Sequence, residues 1–89
     1  MGYALKTIFV QVKCQLGRAY DVAVRLSDGL EPTPEVYSTS GRWDLILRCN
    51  LPAETDIGRF VTESIQTVDG VRDTFTTIAY RAFTKDGSL

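Results

Sequence analysis

The apolar residues change period across Gly17, and no other feature of the chain restricts its fold so tightly. Before that glycine, Ile8, Val10, Val12 and Cys14 alternate with Thr7, Phe9, Gln11 and Lys13, the period-2 pattern of a β-strand with one wholly apolar face. After it, Ala19, Val22, Ala23 and Leu26 fall at i, i+3, i+4 and i+7. That spacing puts them on one stripe of a helix, with Gly29 available to terminate it.

The rest of the chain repeats this alternation of elements. Pro32 and Pro34 hold an extended connection before Val36-Tyr37-Ser38-Thr39, a short β-prone stretch suited to a sheet edge. Ser40-Gly41-Arg42 supplies hairpin turn chemistry. Asp44 to Cys49 then reads as a central strand, with Leu45, Leu47 and Cys49 on one face and Asp44, Ile46 and Arg48 on the other. Pro52, Glu54 and Asp56 suit a helix start, and Ile57, Phe60, Val61, Ile65 and Val68 predict a second amphipathic helix ending at Asp69-Gly70. A last β-prone run, Val71 to Phe83, exceeds the usual strand length of about 5–6 residues, so its distal end is expected to pair outside the monomer. Residues 1–83 are thus read as one domain and residues 84–89 as a polar tail.

The order βαββαβ predicts an α+β, ferredoxin-like sandwich: a four-stranded antiparallel sheet of order 4-1-3-2 with both helices on one face. A chain of 89 residues holds only one such core, and burial gained by self-association would add to its modest stability. The face away from the helices carries Phe9, Gln11, Lys13, Ile46 and Arg48, a mixed surface expected to be covered by a second copy.

The same topology gathers three glycine-bearing loops at one end of the sheet: Leu16-Gly17, the hairpin from Ser38 to Asp44, and the turn from Asp69 to Thr74. Small side chains and unpaired backbone N–H groups at such an end admit a polar ligand. Asp44 would accept from an ammonium group, while Thr74, Thr76 and amides near Gly41 would satisfy a carboxylate. The same residues also read simply as turn glycines, a strand-starting Asp and β-prone threonines. Cys14 and Cys49 fall at opposite ends of neighbouring strands, too far apart for a disulfide, and read as small buried residues.

Composition removes whole classes of function. Ten Lys and Arg against eleven Asp and Glu leave a net charge of −1, without the concentrated positive charge that nucleic-acid binding requires. With no histidine and two cysteines, the chain offers no tetrahedral zinc set, and no metal or cofactor is expected. The helix-facing strand positions are apolar and carry no general base, so catalysis is not expected. No stretch approaches the roughly 20 apolar residues of a membrane span, and Met1 to Gln15 lacks signal-peptide organisation, which predicts a cytoplasmic protein.

Thr39-Ser40-Gly41-Arg42-Trp43-Asp44-Leu45-Ile46-Leu47 resembles the TGxYDLLL segment of the Lrp/AsnC family of transcriptional regulators. Phe9-Val10-Gln11-Val12-Lys13 looks like that family's first strand, and Asp69-Gly70-Val71-Arg72-Asp73-Thr74-Phe75-Thr76-Thr77-Ile78 is similar to its PGVxxTxTxI segment. The resemblance runs from about Lys6 to Phe83 and is to the C-terminal effector-binding (RAM) domain. The family's N-terminal helix-turn-helix has no counterpart in this sequence, so a stand-alone member or an excised domain, without direct DNA binding, is expected. The resemblance implies sheet-to-sheet dimers, assembly into octamer-like rings, and amino-acid effectors bound between dimers. It places the ligand site on Gly41, Trp43, Asp44, Thr74 and Thr76, with the threonines supplied by a neighbouring subunit in one arrangement. Trp43 stands where the family usually has Tyr or another aromatic, and an indole is larger than a phenol and lacks its oxygen acceptor.

These readings converge on a non-catalytic, oligomeric, amino-acid-sensing regulatory domain. Two alternatives come from other classes: a dimeric ferredoxin-like monooxygenase or isomerase with a pocket containing Tyr80 or Asp44, and a pure assembly module for a full-length Lrp/AsnC-type regulator.

Overall fold

The computed structural model describes residues 5–83. The chain runs β1 (Leu5–Cys14), α1 (Ala19–Gly29), β2 (Glu35–Ser38), β3 (Leu45–Pro52), α2 (Ile57–Phe60), a π-helical turn (Val61–Ile65) and β4 (Val71–Ala79). The four strands form one sheet of order β2-β3-β1-β4, the same arrangement as the predicted 4-1-3-2 read from the other edge. Every neighbouring pair is antiparallel. Tail residues 84–89 lie outside the described residues.

Register decides which side chains share a face. Ile8, Val10 and Val12 of β1 stand opposite Cys49, Leu47 and Leu45 of β3, and all six are buried. Val22 and Leu26 of α1, together with Val61 and Ile65, close the core from the helix side. Each such aliphatic side chain contributes roughly 1.5–3 kcal/mol by leaving water, and no polar or charged residue is buried among the described ones. The two thiols are free and buried. Cys49 stands opposite Ile8, six residues before Cys14 on the same strand, which separates the sulfurs by roughly 20 Å.

Two elements depart from their periodicity. The second helix begins as expected, with the Asp56 carboxylate accepting from the Arg59 backbone N–H at 3.1 Å. It then widens into a π-turn in which the Gln66 N–H reaches Val61 O at 2.9 Å. The helix ends at Ile65, and Val68 serves a turn instead, its N–H donating to Ile65 O and its carbonyl accepting from Val71 N–H. β4 stops at Ala79 rather than Phe83, because Thr7–Ala79 is its last pair with β1 and Tyr80 to Phe83 leave the ladder, although β1 itself extends to Leu5.

Gly70 fixes the approach of this turn to α1. Its φ is +99°, and a Cβ there would lie 2.7 Å from Val22 Cγ2. The left-handed backbone and the close packing therefore both require glycine.

Candidate functional site

The three loops do meet at one end of the sheet, and backbone hydrogen bonds lock them together. Gln15 N–H donates to Gly70 O at 2.8 Å, tying the loop after β1 to the turn before β4. Asp44 N–H donates to Val12 O and Thr39 N–H to Asp44 O, both at 2.9 Å, tying the β2–β3 hairpin to itself and to β1. Arg18, at the start of α1, bridges Asp21 at 2.6 Å and Asp69 at 3.2 Å. Hydrogen bonds from Arg18 and then Arg25 hold the Asp21 carboxyl below its ordinary pKa.

Asp44 lies just before β3 instead of starting it, because its backbone and side chain both serve β1. Its Oδ2 accepts from the Cys14 backbone N–H at 2.8 Å and lies 3.8 Å from Lys13 Nζ, which in turn donates to Arg42 O at 3.2 Å. Burial, and then the Asp44 charge, push the Cys14 thiol above its ordinary pKa.

Two clefts open beside this knot. One of about 270 Å³ lies between the end of β1 and the start of α1, with Lys13, Asp44, Leu16 and Tyr20 on its walls. The other, about 340 Å³, is walled by Lys13, Arg42, Trp43, Arg72 and Asp73. Trp43 leans towards Phe75 of β4, with ring centroids 6.2 Å apart.

The five sequence-derived ligand residues occupy different sides of the sheet. Thr74 stands opposite Val12 and Thr76 opposite Val10, so both lie on the helix-facing side of β4. Thr74 Oγ1 accepts there from Gln66 Nε2 at 2.8 Å. Trp43 packs towards the open face through Phe75, which stands opposite Gln11. Gly41 makes the hairpin turn at φ +90°, with open space where a Cβ would point. One subunit therefore does not gather Gly41, Trp43, Asp44, Thr74 and Thr76 around a single cavity.

On the open face, register aligns Tyr37, Ile46, Gln11 and Phe75 in one cross-strand row and Glu35, Arg48, Phe9 and Thr77 in the next. Arg48 pairs with Glu35 at 3.0 Å, and Tyr37 Oη donates to Glu35 at 2.8 Å. The tyrosine hydrogen bond, with Arg48 nearby, keeps Glu35 ionised to lower pH than usual. Phe9, Gln11, Lys13, Ile46 and Arg48 thus share one face, and Tyr37 and Phe75 extend it.

The second cleft is also walled by Arg42 and Arg72, which the sequence reading did not single out. Both lie within the loop segments that it singled out, but the cue was spent on glycines and hydroxyls instead of cations. The space between helices and sheet is filled by apolar side chains, Tyr80 is almost wholly exposed, and Asp44 opens to the end of the sheet, not into an interior pocket. Among the described residues no cluster of His, Cys, Asp or Glu could hold a metal, and no helix is long and apolar enough to cross a membrane.

A family model described as the Lrp/AsnC ligand binding domain matches residues 7–89. No curated protein matches the sequence significantly. Among solved structures, a protein from Thermus thermophilus is 27% identical, with a TM-score of 0.75 over 90% of this chain and 99% of that one. AsnC of E. coli is 21% identical at a TM-score of 0.74, covering 91% of this chain but 54% of its own. A transcriptional regulator from Neisseria meningitidis, solved as a complex with L-Met, has a TM-score of 0.76 at 14% identity over 89% of this chain and 52% of its own. At such identities the last two show a common fold.

Proposed function

Because this chain belongs to the family of Lrp/AsnC ligand-binding domains, which are binding domains and not enzymes, we propose that it senses an amino acid held between subunits of a dimer-based oligomer. Occupancy would alter assembly or partner contacts, and through them transcription or amino-acid metabolism. The observation that carries this reading is the knot at the sheet end, where Asp44 is fixed to β1 beside two open clefts. A site using all of Gly41, Trp43, Asp44, Thr74 and Thr76 needs a second subunit, since these residues lie on both sides of one sheet. The L-Met bound by the Neisseria regulator supports an amino acid as ligand class.

The open face with Phe9, Gln11, Lys13, Ile46 and Arg48 is the proposed dimer surface, and pairs of dimers would close a ring. A full-length regulator of the same family is the proposed protein partner in the cytoplasm, with neither DNA nor membrane contacted directly. For the ligand to act as a switch, it must bind one assembly more tightly than another.

Thermal unfolding across the twenty amino acids tests the reading. A ligand at a hundred times its Kd stabilises by about 2.7 kcal/mol, which for a domain of this size raises Tm by roughly 10–20 °C. A Tm indifferent to every amino acid at millimolar concentration would overturn it.

A further inference from the structure

The arginines divide into two groups. Arg18, Arg25, Arg48 and Arg59 each hold an acidic partner, and Arg81 lies over the Phe83 ring at 5.5 Å. Arg42 and Arg72 have neither among the described residues, and both wall the same 340 Å³ cleft. An arginine left without a partner in a concave site is a ready anion clamp, because its planar fork matches a carboxylate.

A local defect in the sheet places Arg72 there. Lys13 pairs with Asp73 and Cys14 with Val71, so one step along β1 spans two along β4, and Arg72 is the extra residue of a β-bulge. In a regular strand Arg72 and Asp73 would point to opposite faces. With the bulge, both line the cleft, and bulges of this kind re-aim side chains beside functional sites. Lys13, whose charge is answered by Asp44 at 3.8 Å, donates to Arg42 O and holds that loop in place. The cleft thus sets two unpaired cations, Arg42 and Arg72, against one carboxylate, Asp73, in a chain whose overall charge is −1.

Resting on the amino-acid-sensing reading above, we infer that this cleft takes an acidic amino acid, with its two carboxylates on Arg42 and Arg72 and its ammonium on Asp73. Such a ligand carries two negative charges and one positive, the reciprocal of what the walls offer. A neutral amino acid would leave one arginine unanswered, and an inorganic anion would leave Asp73 unanswered. The indole of Trp43, braced by Phe75, covers the ligand's methylene chain. The cleft's volume falls within the roughly 300–1,000 Å³ of small-molecule sites.

Isothermal titration of the full chain with L-glutamate, L-aspartate, L-glutamine and L-asparagine tests the assignment. At least one acid should bind about tenfold or more tightly than its amide, consistent with one charged hydrogen-bonded contact. R42Q and R72Q should each lower acid affinity about tenfold or more, one of them leaving amide affinity unchanged and the other, at the arginine that holds the α-carboxylate, lowering acid and amide alike. R59Q, which breaks the exposed Arg59–Glu63 pair, should bind as the parent does. Both cleft arginines are exposed, so circular dichroism and Tm of the variants should match the parent. The single Trp43 should report the same binding midpoint by fluorescence. Amides binding as tightly as the acids, or R42Q and R72Q binding the acid unchanged, would overturn this ligand class while amino-acid sensing stands. Absence of heat and of thermal shift with every amino acid, acidic or neutral, would overturn both.

Discussion

The backbone N–H of Cys14 donates to Asp44 Oδ2 at 2.8 Å, while Asp44 N–H donates to Val12 O at 2.9 Å. One residue thereby closes the end of β1 through both its backbone and its side chain. Among the described residues its other oxygen, Oδ1, accepts no hydrogen bond.

Asparagine and alanine at this position separate the structural from the binding role. D44N keeps an acceptor for Cys14 N–H and should stay within about 1 kcal/mol of the parent, whereas D44A should lose about 1–3 kcal/mol by leaving that N–H unanswered. Urea unfolding reads both. D44N and D73N then separate two placements of the ligand ammonium. With the ammonium on Asp73, D73N loses affinity and D44N binds as the parent does, which would show Asp44 to be structural only, whereas a stable D44N protein that loses affinity would move the ammonium to Asp44.

Gly70→Ala should be far more costly than Gly41→Ala, although both positions have positive φ. At Gly41 the cost is backbone strain alone, about 1–2 kcal/mol, because space is open. At Gly70 the added methyl also meets Val22 Cγ2 at 2.7 Å, so the total should exceed about 2 kcal/mol. Denaturant midpoints of the two variants should differ in that order.

Much of this architecture was legible because its signals are local. The alternation from Ile8 to Cys14, the stripe through Val22 and Leu26, and the hairpin glycine each specify an element without help from the rest of the chain. Their order leaves few sheets to choose from. What was hidden depends on pairing. The bulge at Arg72 arises only when β4 meets β1, so no sequence period announces that Arg72 and Asp73 share a side. The end of β4 at Ala79 is set by where β1 stops pairing with it, not by the β-prone residues that follow. The π-turn takes Val68 out of a helical stripe that its spacing fits. For the candidate site, convergence of the loops could be deduced, but register was needed to show that Thr74 and Thr76 lie away from Trp43.

Burial raises the Cys49 thiol pKa to about 11 from an ordinary value near 9. The folded state therefore keeps a proton that the unfolded chain gives up, so this contribution is whole below pH about 9 and is lost as pH rises towards about 11. The loss should reach about 2 kcal/mol in the parent and vanish in C49A, read as the difference between their urea unfolding curves from pH 8 to 11. Parallel pH dependence in the two proteins would contradict it.

Ile46 lies mid-row on the open face, between Tyr37 and Gln11. If that face joins two copies, I46D buries a charge without a partner and should weaken the dimer by about 3 kcal/mol or more, a hundredfold or more in dissociation constant. Light scattering over a dilution series measures it, with far-ultraviolet circular dichroism confirming that the sheet persists. An unchanged dissociation constant would place the interface elsewhere.

Sedimentation velocity of the full chain, with and without the amino acid that raises its Tm most, tests the central claim most directly. The account predicts dimers or larger assemblies without ligand and a redistribution among them when it is added, since a ligand bound between subunits must favour one assembly. A single monomeric boundary, identical with and without ligand, would contradict it.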